Sequence, residues 1–234
     1  MPVYHGIKTI FVRVPKTAST SLCEKLYSAD SYARYFTRGV SITETPKSPS
    51  ELEKHESIRQ IKESLPDTYF DDYYKVGFVR NPWDWLVSYY SYFQTYDISK
   101  KSVLVTGQYQ RGRNRFKDIS FHEFLLMVEE SETSHNPEDK AGQTERPFQP
   151  QYNYLVDKDE KLIVDFIGRY ENLIEDWRQI CDHLNITRNR FRFMELQHYN
   201  NSIRDSYRTY YNDEDVKRVH SIYREDIELF GYLF

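Results

Sequence analysis

A lysine leads a row of small hydroxyl residues in Val14-Pro15-Lys16-Thr17-Ala18-Ser19-Thr20-Ser21-Leu22, between an apolar β-branched run and a helical pattern. Those residue types suit an oxyanion. Backbone N–H groups at a helix start, the positive end of the helix dipole, the Lys16 ammonium and the hydroxyls of Thr17, Ser19, Thr20 and Ser21 can converge on phosphate or sulfate oxygens. The segment is not the nucleotide loop G-x-x-x-x-G-K-S/T, since both glycines are missing and the lysine stands at the loop's start. A Ser/Thr-capped helix with a solvated lysine is the other reading of the same residues. Arg80 is a second cation at the end of an apolar run, and Ser88 follows it two helical turns into the next pattern. Taken alone, these two read as a partner of Asp84 and a hydroxyl bonded back into its own helix. Proton transfer points to the 7 histidines, whose pKa of about 6.5 suits a general base.

The elements that must position these groups alternate. Lys8 to Val14 reads as a strand ended by Pro15, and Leu22, Cys23 and Leu26 then recur at helical spacing. Tyr74 to Arg80 is a second strand, with Asn81 as N-cap and Pro82 at the first position of a helix running to about Gln94. Leu162 to Ile167 is a third strand candidate, ahead of a helix with Leu173, Trp177, Ile180, Cys181 and Leu184 on one face. Ser120 with Glu123 forms a capping box before Phe121, Phe124, Leu125 and Val128, and a last helix carries Val216, Val219, Tyr223, Ile227 and Phe230. Residues 35–50 and 131–150 lack a sustained apolar period and read as surface insertions in a single domain of 1–234. Strands alternating with helices imply an α/β fold with a mainly parallel sheet, whose ligands sit at the carboxyl ends of its strands. His55 has two open settings. Ser50 with Glu53 and Ser57 with Gln60 both form capping boxes, so His55 lies either in a helix on the face of Leu52 and Ile58 or in a loop before a later helix.

Phe78-Val79-Arg80-Asn81-Pro82-Trp83-Asp84-Trp85-Leu86-Val87-Ser88-Tyr89-Tyr90, joined to the earlier loop, resembles the sulfotransferases that use 3′-phosphoadenosine 5′-phosphosulfate (PAPS). The carbohydrate branch with the uronyl 2-O-sulfotransferases is similar in its P-K-T-x-x-T-S loop and its later F-V-R-N/D-P-x-x-R-L-V-S-x-Y segment. The likeness continues through Pro150-Gln151, Tyr154-Leu155, Ile167 to Leu173 and Phe230 to Phe234, nearly the whole chain. It implies a P-loop nucleoside-kinase-like domain with a parallel sheet of about five strands flanked by helices. It further implies that Pro15, Lys16, Thr17, Ala18, Ser19, Thr20 and Ser21 hold the 5′-phosphosulfate, with Lys16 also acting in catalysis. Arg80 and Ser88 would bind the 3′-phosphate, and Ser202 and Arg204 would belong to a loop closing over the nucleotide. His55 would be the base, with His198 and Glu24 in reserve. Two departures stand out: Ser19 where relatives often have Gly, and Trp85 where they have Arg.

Composition narrows the setting. Thirty-nine percent hydrophobic and 29% charged residues describe a folded globular chain, and a net charge of −4 excludes a surface built to track nucleic acid. The cluster from Arg111 to Lys117 is basic but local. Cys23 and Cys181 fall inside amphipathic helices, which fits a reducing compartment, and they offer no zinc spacing. With no leader or membrane segment, the expectation is a cytoplasmic enzyme, bacterial or viral in origin, monomeric or homodimeric. Its expected partner is a hydroxyl-bearing acceptor, a saccharide or glycolipid. PAPS would be the donor, 3′-phosphoadenosine 5′-phosphate (PAP) the product, and no metal would be needed. A Mg²⁺-dependent P-loop kinase or ATPase and a non-catalytic nucleotide-binding module are the alternatives. The 21 Tyr and 14 Phe read mainly as packing residues.

Overall fold

Two apolar runs form the centre of a parallel sheet, as strands buried on both faces do. The computed structural model describes residues 3–36, 55–95, 116, 118–133, 148–186 and 205–234. In chain order the elements are β1 (Val3–Tyr4), β2 (Thr9–Val12), α1 (Ser19–Phe36), α2 (Ile58–Ser64), α3 (Asp67–Asp72), β3 (Tyr74–Val79), α4 (Pro82–Thr95), α5 (Phe121–Thr133), β4 (Phe166–Arg169), α6 (Leu173–His183), α7 (Asp213–Ile222) and α8 (Arg224–Phe230). They gather into two compact units, Met1–Arg80 with Gln151–Asn200 and Asn81–Pro150 with Asn201–Phe234.

The first unit holds the sheet. Its order is β1-β2-β3-β4, with β1 antiparallel to β2 and the other pairings parallel. This is the α/β fold with a mostly parallel sheet, with four strands among the described residues against an expected five or so. The two-residue β1 is too short to carry any period. Phe11, Val76 and Phe78 pack with Leu22, Cys23, Leu26 and Ala29 of α1 and with Leu173, Trp177, Ile180 and Cys181 of α6 in one core cluster. Both cysteines are buried free thiols, with pKa values pushed up to about 11 at Cys23 and about 12 at Cys181 by burial. They are packing residues. The one charged side chain inside β3, Lys75, is satisfied: its Nζ donates to the carbonyls of Phe70 (3.2 Å) and Tyr73 (2.7 Å) and pairs with Asp165 (3.1 Å).

The third strand begins later than the sequence suggests, at Phe166 instead of Leu162. Asp157 folds the preceding residues into a turn by accepting from the N–H groups of Asp159 and Lys161, and Leu162 makes only an isolated bridge to Val156. Asp165 then accepts the Lys75 N–H at 2.7 Å and donates its own N–H to the Lys75 carbonyl at 2.8 Å, which sets the register.

The second unit is helical and aromatic. Phe148 meets Tyr89, Phe116 and Phe124 edge-on at 5.2, 5.5 and 5.6 Å between centroids. Trp85, fully buried, meets Tyr89 at 4.9 Å and Tyr223 at 5.6 Å. The tryptophan that stands where relatives have arginine is therefore a core residue. Asn81 caps α4 by accepting from Trp83 N–H at 3.1 Å, and the Ser120–Glu123 box caps α5. The last expected helix is two, α7 and α8, broken at Tyr223 (φ −111°, ψ 33°). At that break the Tyr223 ring is buried and its hydroxyl donates to the Phe148 carbonyl at 2.8 Å. No helix of the described residues is long and apolar enough to cross a membrane.

Gly168 pairs directly with Phe78 across β3 and β4, and a Cβ there would sit 2.4 Å from the Phe78 ring. Phe78 is fully buried and has little room to yield. Gly168→Ala is expected to cost about 1–3 kcal/mol, read as a lower urea midpoint at unchanged slope.

Candidate active site

Because β2, β3 and β4 run parallel, their carboxyl ends share one edge of the first unit's sheet. The candidate residues of that unit collect there. The strand β2 ends at Val12, and the loop to α1 turns through two residues in the left-handed region, Lys16 (φ 61°) and Ala18 (φ 61°). Neither is glycine, so each carries roughly 1–2 kcal/mol of conformational strain. Ser19 is the first residue of α1 and has ordinary handedness. Alternating backbone handedness turns successive N–H groups toward one side, the geometry of an anion nest.

The loop is held from within and from the neighbouring strand. The Thr17 hydroxyl donates to the Val14 carbonyl at 2.9 Å and is fully buried, so its proton is committed to the loop. Any Thr17 contribution to an anion falls to its backbone N–H. Arg80, just beyond β3, donates from one terminal guanidinium nitrogen to the Lys16 carbonyl at 3.1 Å. The guanidinium lies over the Tyr170 ring, 3.8 Å from its centroid. Gln151 fixes the Arg80 backbone: its side-chain oxygen accepts the Arg80 N–H at 2.9 Å and its amide donates to the Arg80 carbonyl at 2.7 Å. Gln151 is fully buried, and its side chain stands in for a strand neighbour.

The helix start is suited to a negative ligand. Ala18 accepts the first helical bond, from Leu22 N–H at 3.2 Å, which makes it the N-cap, and a methyl group cannot cap. The first turn of α1 contains no acidic residue. Every other described α-helix has an acid in its first turn or, in α2, a Ser57 cap. The N–H groups of Ser19, Thr20 and Ser21 thus meet no neutralising side chain from their own cap.

His55 lies in a loop, which settles the two settings the sequence left open. Ser57 and Gln60 make the reciprocal bonds of a capping box, so α2 starts at Ile58 and His55 precedes it. The His55 Nδ1 is 2.7 Å from the Arg13 carbonyl, one residue past the end of β2. A carbonyl only accepts, so Nδ1 carries the proton and Nε2 of the neutral ring presents a lone pair. The residue as a whole is exposed, yet desolvation of the ring lowers its pKa to about 4, with the Arg13 bond opposing and the Arg13 charge adding to the drop. At pH 7 the His55 ring is therefore neutral.

The remaining candidates lie on helices or are undescribed. Ser88 is half-buried on α4 of the second unit. Glu24 is half-buried on α1, whereas Ser202, Arg204, His198 and the basic cluster from Arg111 to Arg115 lie outside the described residues. Sequence reasoning gave no role to Gln151, Tyr170 or the Arg13 carbonyl. The first two stand in quoted motifs, but nothing in their local sequence marks these contacts. Among the described residues no group of three or more His, Cys, Asp or Glu is placed to hold a metal ion.

A family model described as the sulfotransferase family matches residues 3–233. No curated protein and no solved structure matches the chain.

Replacing Ala18 with Gly should relieve the left-handed strain, offset by the larger entropy of an unfolded glycine, for a net gain of up to about 1 kcal/mol in chemical denaturation. Lost stability there would mean that the left-handed turn is not adopted. A second expectation concerns acid. Since the folded pKa of His55 is depressed from 6.5 to about 4, the unfolded chain takes up that proton first, and stability declines as pH falls through this interval. His55→Asn, which retains a donor for the Arg13 carbonyl, should show a shallower decline over that interval than the wild type.

Proposed function

The chain belongs to the sulfotransferase family, and from that premise we propose that it moves a sulfuryl group from PAPS to an acceptor hydroxyl. The observation that supports this reading most is the uncapped, acid-free start of α1 behind a left-handed loop carrying Lys16, with Arg80 bonded to that loop. In the proposed reaction the acceptor oxygen forms a bond to sulfur while the bond from sulfur to the bridging oxygen breaks. That electron pair stays on the departing 5′-phosphate. The hydroxyl proton goes to Nε2 of His55, which is neutral and unprotonated at that nitrogen in the tautomer that the Arg13 carbonyl selects. Lys16 supplies positive charge where negative charge grows on the bridging oxygen, and the N–H groups of residues 17–21 bind the 5′-phosphate.

Arg80 is assigned to the 3′-phosphate, which distinguishes PAPS from ATP; a guanidinium with fixed donors suits that group. Ser88, Ser202 and Arg204 are carried as donor contacts by the resemblance alone, and so is the saccharide nature of the acceptor. The match over residues 3–233 supports treating both units as one sulfotransferase domain. A P-loop kinase reading has no observation in its favour, since the loop's lysine does not adjoin the helix.

Calorimetric titration with PAP, ATP and adenosine 5′-phosphate, with and without Mg²⁺, tests the donor. The expected result is metal-independent micromolar binding of PAP, about −8 kcal/mol, weakened at least tenfold by Arg80→Ala. Tighter, Mg²⁺-dependent binding of ATP would overturn the reading in favour of a kinase, and no binding at all would leave an interaction module. His55→Ala should bind PAP within about twofold of wild type yet lose about 10²–10⁴ in turnover of PAPS with a reactive acceptor.

A further inference from the structure

The loop after β2 and the first turn of α1 carry four hydroxyl side chains, and these fall into two classes. Those of Ser19, Thr20 and Ser21 bond to no other described residue. The Thr17 hydroxyl donates its single proton to the Val14 carbonyl at 2.9 Å, from a fully buried side chain. A phosphate dianion accepts hydrogen bonds and donates none, so a hydroxyl whose proton is taken has nothing to offer it. Thr17 stands between the two left-handed residues, Lys16 and Ala18, both at φ 61°. Its bond reaches back three residues and closes a small ring of chain around Pro15 and Lys16. Val14 is itself fixed, because it is fully buried and its N–H donates at 3.1 Å to the carbonyl of Val12, the last residue of β2. Without the Thr17 hydroxyl the Val14 carbonyl would be a buried acceptor that has lost its partner. A left-handed lysine persists where its surroundings over-determine it, and this tether fastens its turn to the end of the sheet.

We propose that Thr17 is a positioning residue for the 5′-phosphate: its hydroxyl holds the left-handed turn at Lys16 and Ala18, and with it the direction of the loop's N–H groups, while the hydroxyl itself does not touch the anion. This deepens the donor reading given above and rests on it. The sequence groups all four hydroxyls as oxyanion contacts, and the structure separates Thr17 from the rest. Serine keeps the hydroxyl and therefore suffices at this position, whereas valine keeps the shape and does not. The part of a ligand that sits in the loop feels the change, and the part bound elsewhere does not.

The test is calorimetry with two nucleotides, PAP and adenosine 3′-phosphate, which lacks the 5′-phosphate, with thermal midpoints recorded for each variant. Thr17→Val is expected to bind PAP about tenfold more weakly than wild type, equivalent to about 1.4 kcal/mol, and adenosine 3′-phosphate within about twofold. Thr17→Ser should bind both nucleotides within about twofold of wild type. Thr17→Ala serves as a second hydroxyl-free replacement if the Val variant is poorly folded. Wild-type affinity for PAP in the hydroxyl-free variants overturns the proposal. Equal losses for the two nucleotides also overturn it, since they would mean a general structural effect, and so does a serine variant as weak as the valine one, since the methyl group would then be what matters. A wild type that binds PAP no better than adenosine 3′-phosphate, or binds neither, is a separate outcome that removes the donor reading on which the proposal stands.

Discussion

The bond from the Arg80 guanidinium to the Lys16 carbonyl joins the ends of two parallel strands, and the candidate site depends on it. The loop after β2 turns without glycine, through two left-handed residues whose combined strain is of the order of a few kcal/mol. Such a turn persists when its surroundings hold it. Thr17 holds it from inside through the Val14 carbonyl, the first bond of α1 holds its far end at Ala18, and Arg80 holds Lys16. Arg80 can do so because Gln151 occupies both of its backbone hydrogen-bonding groups, where no further strand residue is available. A buried amide, a buried guanidinium and a strained lysine thus form one line of dependence.

The same strand end serves a second purpose. The ladder of β2 stops at Val12, so the Arg13 carbonyl is released from sheet pairing and receives the His55 ring. The Ser57 capping box stops α2 from extending backward over His55, which keeps the imidazole on an irregular segment that can reach the strand. Fixing the tautomer through a backbone carbonyl leaves Nε2 basic without a carboxylate partner. With its pKa lowered to about 4, such an imidazole stays neutral at pH 7 with Nε2 unprotonated.

Much of this was legible in sequence where the physics is local. Capping at Asn81, Ser120 and Ser57, the apolar strands β2 and β3, and the helical face of Leu173, Trp177, Ile180 and Cys181 all follow from residue types within a few positions. What depended on distant partners was not. The start of β4 is set by Asp165 meeting Lys75, 90 residues earlier, and the break at Tyr223 coincides with a bond to Phe148, 75 residues earlier. Gln151 and Tyr170 have no local signature of their contacts, because each meets Arg80 from a distant part of the chain, the short helical turn Gln151–Tyr154 and the end of β4. The left-handed residues carry no local marker either, because glycine is the usual one and here Lys16 and Ala18 adopt that conformation.

Electrostatics explains why an anion site can exist on a chain of net charge −4. At physiological salt the field of a distant charge is screened within about 8 Å, so the overall excess of acids matters less than what lies within the first turn of α1. There the acids are missing, although α4, α5, α6, α7 and α8 each place one or more in their own first turns. Those helices neutralise their positive ends internally. Helix α1 does not, and the loop before it adds a lysine and turns its backbone N–H groups toward one side. A positive helix end left without an internal partner, held in a strained loop by a buried arginine, is costly for a merely structural turn and useful for one that receives a phosphate from outside.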